Sequence, residues 1–418
     1  MPKPVIITGL GSVTALGFGI DAHWTALTEG RSAISEVSLF DASEFDCRIA
    51  GQVGEYKIRD YVPKTYRKAT KVMARDIELA VIAADLAVRD AGLMTKGIDP
   101  EADPTYDPNR VGCHIGAALI AADVDELTAA LAESTDDEGG FDIHKWGEEG
   151  MNHLTPLWLL KYLPNMLACH VTILHDTQGP SNTITCGEAS GLLSVGESMR
   201  VIQRGAADLG FCGGADSRLN PMAYIRQEMT GRLTASGNDD PADAVRAMSA
   251  EATGTALAEG GAILVLESED TYRRRDAANG YAKVIGFGAS QTVHRDSRNL
   301  APDPEGRALA AAIRTALADA DISPAQIDLI APTGLGCPAW DRAEVEAMKT
   351  VFGDALKDKA MLLTKPYLGG INAGSGAIDL ALAARALRAQ QVPAVLNCDQ
   401  PLEPLTCSTG PARAGELL

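Results

Sequence analysis

The stretch Ser181-Asn182-Thr183-Ile184-Thr185-Cys186-Gly187-Glu188-Ala189-Ser190-Gly191 runs from a β-rich segment into a corner of small residues. Leu192, Leu193, Gly196, Met199, Ile202 and Gln203 then recur at the spacing of a buried helical stripe, so a helix is expected to start at the corner itself. A short apolar run follows, Leu209-Gly210-Phe211-Cys212, closed by Gly213-Gly214-Ala215-Asp216. A strand that breaks sharply into a helix exposes one side chain at the helix N-terminus. Backbone N–H groups there stabilise negative charge and lower the pKa of a thiol or carboxylate.

Working outward, Val5–Gly19 alternates a β-rich run with glycines at 9, 11, 17 and 19. Gly9-Leu10-Gly11 lacks both the third glycine of a dinucleotide site and a Walker lysine, which argues against nucleotide binding. Residues 75–92 read as an amphipathic helix, 109–117 as a buried strand, and 123–149 as an acidic, solvated helical excursion. Residues 262–267 form a further strand. Beyond it, strand-like runs at 283–288, 327–331, 361–363 and 392–397 alternate with helical runs near 305–320, 342–352 and 377–390. That grammar predicts α/β layers with largely parallel sheets, and its repetition suggests an internal duplication.

Composition narrows the function. The 418 residues carry 37 basic and 56 acidic side chains, a net charge of −19, with 46% apolar residues. A general nucleic-acid binder needs clustered Lys and Arg, and Arg273-Arg274-Arg275 reads only as a solvated helix end. No run of 18 apolar residues appears, and the N-terminal segment lacks the pattern of a secretory signal. Eight cysteines, at 47, 113, 169, 186, 212, 337, 398 and 407, form no CxxC pair and no zinc spacing. Scattered thiols of this kind fit a cytoplasmic location.

The 181–216 stretch resembles the nucleophile elbow of the elongating β-ketoacyl-ACP synthases, condensing enzymes of the thiolase superfamily. The resemblance extends over nearly the whole chain: Val5–Gly11 resembles the first strand, Pro164-Asn165-Met166 the segment before the elbow, and Gly231-Arg232-Leu233 with Asn238-Asp239-Asp240-Pro241 the following loop. Thr364-Lys365 resembles the lysine motif, and Asp341-Arg342-Ala343-Glu344 the end of the first histidine motif. The resemblance implies a thiolase-like duplicated α/β fold, layered α-β-α-β-α, working as a dimer. Its halves would be 1–270 and 271–418. The second would lack the closing Gly-Phe-Gly loop and strand, since Thr406–Leu418 contains neither.

The catalytic positions depart from that pattern. The family uses a cysteine nucleophile and two histidines; here the cysteine position falls on Glu188, and the histidine positions on Thr333 and Gly370. Cys186, two residues earlier, is a candidate displaced nucleophile. The seven histidines, at 23, 114, 144, 153, 170, 175 and 294, lie elsewhere, and of the catalytic set only Lys365 remains. A carboxylate is a poor acyl acceptor, because its product is a labile anhydride. Glu188 is therefore expected to satisfy helix-end N–H groups and to pair with Lys365.

Loss of the cysteine and both histidines resembles the chain-length factors, non-condensing subunits that pair with an active synthase and shape its acyl tunnel. The family position that reaches across the dimer, thirty residues before the elbow, is Trp158. It would wedge into a tunnel or pack in the core. The expected partners are a catalytically complete synthase, or a second copy of this chain, and an acyl carrier protein. The carrier is acidic, so it would dock mainly on the partner, with a modest basic patch here at Lys64, Arg67, Lys68, Lys71 and Arg75. No cofactor or metal is called for. Two other readings stay open: a malonyl-ACP decarboxylase or divergent 3-oxoacyl-ACP synthase using Glu188, and a non-catalytic acyl-binding protein.

Overall fold

The computed structural model describes residues 4–275, 280–293, 301–407, 413–414 and 417. Its main sheet runs Gly17–Phe18, Val5–Thr14, Leu257–Ser268, Leu209–Ser217, Val111–Gly116, Ser181–Ile184. Ile34–Glu36 and Ile49–Gly51 join as a hairpin along Leu257–Ser268, and Ala282–Val284 adds to Val5–Thr14. The sheet is mixed rather than largely parallel. Leu257–Ser268 runs antiparallel to both of its long neighbours, while Leu209–Ser217, Val111–Gly116 and Ser181–Ile184 run parallel. A parallel neighbour needs a crossover that brings the chain back to the same end of the sheet. The chain between Ser217 and Leu257 instead re-enters at the end it left, with Ser217 opposite Glu259.

Val5–Thr14 is buried along its whole length, and its glycines allow that burial. A methyl group on Gly9 or Gly11 would run into the Ala87 and Ala83 carbonyls of the helix Arg75–Asp90, which lies flat on the strand. These are close-approach glycines rather than a phosphate cradle. The same device recurs in the second half. Gly286 and Gly288 face the Ala316 and Ala312 carbonyls of the helix Arg307–Ala320. Matching glycine pairs, one in a strand and one just after the strand Ala282–Val284, against matching helix carbonyls fit a duplicated fold.

The layers follow from alternation along the strands. Leu329 and Leu362 pack in the cluster around the central helices Ser190–Gln203 and Ser375–Ala389. Ile330, Met361 and Leu363 point the other way, into the cluster with Met348 and Phe352 of the outer helix Pro338–Phe352. Helices Arg75–Asp90 and Met166–His175 cover the far face of the main sheet. The order is thus α-β-α-β-α.

Several local expectations change. The acidic stretch folds as helices Val124–Glu133 and Ile143–Glu148, and two of its carboxylates are N-caps: Asp123 accepts from Asp125 N–H, and Asp142 from the His144 and Lys145 N–H groups. Arg275 is not a solvated helix end; it pairs at 2.5 Å with Glu267, a fully buried carboxylate that also accepts from Thr8 and Tyr106. The run at 392–397 yields only Gln391–Val392, because Pro393 has no N–H to give a ladder. That short strand pairs antiparallel with Arg413–Ala414, so a minimal closing strand is present; residues 408–412, 415, 416 and 418 lie outside the described residues. Among the described residues no helix is long and apolar enough to cross a membrane, and no cluster of His, Cys, Asp and Glu could hold a metal ion.

Candidate functional site

The edge strand Ser181–Ile184 ends in a single tight turn, Gly187–Ala189, and the helix Ser190–Gln203 begins immediately. Gly187 holds the left-handed conformation, φ +58°, that the corner needs. Ser190 locks it. Its hydroxyl accepts from the Cys186 N–H at 2.8 Å and donates to the Gly187 carbonyl at 2.7 Å. A second elbow repeats the plan at Ile371–Ser375. The Ile371 N–H donates to the Ser375 hydroxyl at 3.0 Å, Asn372 has φ +56°, and the helix Ser375–Ala389 follows. The two elbows meet, with Asn372 beside Gly187. Asn372 is held there by a 2.6 Å hydrogen bond from its amide to Asp216.

Glu188 stands at the first elbow, half-buried, and its partner is Arg232, whose guanidinium donates to Glu188 Oε1 at 2.6 Å. Arg232 is clamped from two further directions. Its guanidinium lies 4.8 Å from the centre of the Trp340 ring, and its carbonyl accepts from the Cys337 thiol at 3.2 Å. Burial alone would push the Glu188 carboxyl up, but the Arg232 charge, with Arg218 further off, outweighs it and holds the group below its ordinary range. The expected pairing with Lys365 is not observed. Lys365 is 1% exposed, and its ammonium donates to Asp379 at 2.6 Å and Thr364 at 3.1 Å. Lys365 begins the short helix Lys365–Leu368 and turns toward the helix Ser375–Ala389, so the carboxylate within its reach is Asp379.

Glu188 and Thr333 share a cavity of about 410 Å³, walled also by Leu309, Leu335, Trp340 and Glu344. Thr333 and Gly334 donate their backbone N–H groups to Glu344, at 2.7 and 3.0 Å. Burial raises the Glu344 carboxyl, against those donors and the Lys365 charge. Gly370 is not among the residues that line the cavity; its N–H bonds to the Ala256 carbonyl at 2.9 Å, and a Cβ added there would lie 4.0 Å from Leu335 of the wall. Cys186 is exposed and precedes the turn; it is not among the residues that line the cavity.

Trp158 also lies away from the cavity. It is half-buried on the one-turn helix Trp158–Tyr162, packs against the main-sheet core, and stacks obliquely on Tyr162 at 5.7 Å. Four of the described histidines are buried and hydrogen-bonded within the fold, while His144 and His153 are exposed, away from the cavity. His23 bonds Thr14, His114 bonds Ser198, His170 bonds Tyr66 and His175 bonds Thr95. His294 lies outside the described residues. Among the described residues no histidine lines the cavity. Sequence reading missed Arg232 as the partner of Glu188, although it quoted the Gly231-Arg232-Leu233 motif. The two lie 44 residues apart on separate loops, and no periodicity links them.

The comparisons agree with this geometry. Residues 2–271 match the model of the β-ketoacyl synthase N-terminal domain, and residues 281–399 that of the C-terminal domain. The chain is 30% identical over 418 residues to a 3-oxoacyl-[acyl-carrier-protein] synthase 2 of Coxiella burnetii, covering 99% of this chain and 93% of that protein. It is 28% identical over 401 residues to the protein so named from Synechocystis, covering 96% and 89%. A solved ishigamide ketosynthase/chain length factor superposes with a TM-score of 0.82 at 24% identity, covering 100% and 94% of the two chains. A β-ketoacyl synthase from Burkholderia phymatum does so at 0.81 and 24%, covering 99% and 94%. Both domain models, in order over nearly the full length, place this chain in the β-ketoacyl synthase family.

Proposed function

We propose that this chain is a non-condensing member of the family, which pairs with a catalytically complete synthase of fatty-acid or polyketide biosynthesis and helps shape that pair's acyl tunnel. The observation that carries the reading is the Glu188–Arg232 ion pair at 2.6 Å, in the elbow where a condensing subunit needs a free nucleophile. A carboxylate held by a guanidinium has little tendency to attack a thioester, and its acyl product would be an anhydride. Thr333 reaches its neighbour through backbone N–H and Gly370 has no side chain, so neither takes over a histidine's work on a developing oxyanion. Lys365 is spent on Asp379.

Two further features support the reading. The excursion 123–149 and its flanks expose Leu119, Val124, Leu131, Phe141, Ile143, Met151, Leu157 and Leu159, apolar side chains that a partner could cover. Lys64, Arg67, Lys68 and Lys71 are exposed and free to meet an acidic carrier protein. Arg75 leaves that patch, because it is committed to the buried Glu259 at 2.5 Å. A solved complex of a type II polyketide acyl-carrier protein with its ketosynthase, similar in fold to this chain, fits such a partnership.

The test is co-expression with a synthase that carries cysteine and both histidines, followed by size measurement and product analysis. A stable heterodimer whose products change when this chain is omitted is the expected result. Turnover of malonyl-ACP by this chain alone, abolished by Glu188→Ala, would overturn the reading in favour of a decarboxylase.

A further inference from the structure

Cys398 and Cys407 lie nine residues apart in sequence, and their sulfurs are 2.9 Å apart, closer than two unbonded thiols ordinarily pack. Cys398 is buried in the cluster formed by Met248, Leu363, Val395 and Leu405. Cys407 is half-buried at the edge of that cluster. The segment between them is pinned to one neighbour. Leu402 N–H donates to the Met248 carbonyl at 2.8 Å, and Ala250 N–H to the Gln400 carbonyl at 2.8 Å. Met248 in turn donates its N–H at 2.7 Å to Asp341, a residue of the cavity wall.

We infer that Cys398 and Cys407 form a redox-sensitive pair, in which a peroxide converts the two thiols to a disulfide that staples residues 398–407 beneath the cavity. The geometry assigns the order of events. Cys407 has access to solvent, and the hydrogen bond from the Cys398 thiol favours its thiolate, against the opposing effect of burial. The Cys407 thiolate attacks one peroxide oxygen, the O–O bond breaks, and the leaving hydroxide takes a proton to become water. The resulting sulfenic acid is then attacked by the Cys398 sulfur, which loses its proton as the S–O bond breaks and a second water leaves. Two thiols are oxidised and one peroxide is reduced to two waters. Dithiothreitol or another dithiol reverses the change by exchange. Cys169 and Cys186, the other thiols with solvent access, serve as internal controls.

The test uses the full chain, reduced and then exposed to hydrogen peroxide, with free thiols alkylated before digestion and mass spectrometry. The peptide spanning 398–407 is expected to lose two hydrogens, resist alkylation, and recover both thiols on treatment with dithiothreitol. In Cys398→Ser, Cys407 should stop at a sulfenic acid that dimedone traps. Should that buried substitution impair folding, Cys407→Ser at the half-buried position gives a second reading: oxidation is expected to raise the thermal midpoint of the wild type, and that rise should vanish in the variant. Both thiols remaining alkylatable while Cys186 oxidises, or Cys407 found joined to Cys169 or Cys186, would overturn the inference.

Discussion

Lys365 and Glu188 would make a natural ion pair in a sequence read alone, and each has found another partner. Lys365 and Asp379 are 1% and 9% exposed, so both charges are taken out of water and depend on each other. Breaking such a pair by removing one member leaves an uncompensated buried charge, at a cost of about 3–5 kcal/mol. Lys365→Met should lose that much in urea denaturation, while the double change Lys365→Met, Asp379→Leu should recover most of it. A single substitution that costs nothing would return Lys365 to a role in the site. Glu188 differs, because its side chain keeps 32% exposure and Arg232 keeps 18%. Glu188→Gln should cost about 1–3 kcal/mol at neutral pH, since Arg232 is left facing an uncharged partner. The pH dependence has a defined sign. A carboxyl held below its ordinary value contributes stability that is complete above that value and is lost as pH falls through the folded-state value. Urea midpoints of wild type and Glu188→Gln should therefore converge on acidification, and a gap that widens in acid would contradict the ion pair.

At the scale of elements, the sequence signals that survive are those set by local sterics. The first elbow is legible because Gly187, Ala189, Ser190 and Gly191 leave few alternatives to a sharp turn, and its register is fixed by Gly213-Gly214-Ala215. The second elbow was not singled out, since Ile371-Asn372-Ala373-Gly374-Ser375 shares with Cys186–Ser190 only a serine at its end and a residue tolerant of positive φ. Strand direction was misread because alternation reports which face is buried but not where the chain re-enters the sheet. Arg232 was missed as a partner because pairing across two loops leaves no periodic trace. The two Gly-x-Gly segments, at 9–11 and 286–288, offer a direct test of the duplication. A methyl at Gly288 would strike the Ala312 carbonyl, as one at Gly11 would strike that of Ala83. Backbone cannot yield as a flexible side chain can, so Gly11→Ala and Gly288→Ala should each cost about 3 kcal/mol or more. Gly54→Ser, at an exposed position where an added Cβ meets nothing within 4 Å and φ is not left-handed, is the control and should change stability far less. Thermal midpoints would report all three, and tolerance at Gly288 alone would show the second half to be the looser copy.

For the whole molecule, the excursion 123–149 and its flanks carry an unusual surface for a chain of charge −19. Leu157 is 67% exposed, Ile143 63%, Phe141 57% and Leu159 53%. The strand Ser181–Ile184 at the sheet edge has Val111–Gly116 on one side and, among the described residues, no strand on the other. An unpaired edge and exposed apolar side chains are each a liability for a protein that stays alone. It is the expected anatomy of a subunit that meets a partner, whose standard interface removes about 1,600 Å² from water. Leu157→Asp combined with Leu159→Asp places two charges on that surface and touches little of the core. Exposed substitutions of this kind usually change stability by about 0.5 kcal/mol or less, so the thermal midpoint of the isolated chain should hold. Desolvating two unpaired carboxylates on assembly costs far more. Co-expressed with a complete synthase, the double variant should therefore elute apart from it, and the product profile should revert to that of the synthase alone. A complex that forms undiminished would mean that this apolar surface serves some purpose other than assembly, and the tunnel-shaping role would lose its contact surface.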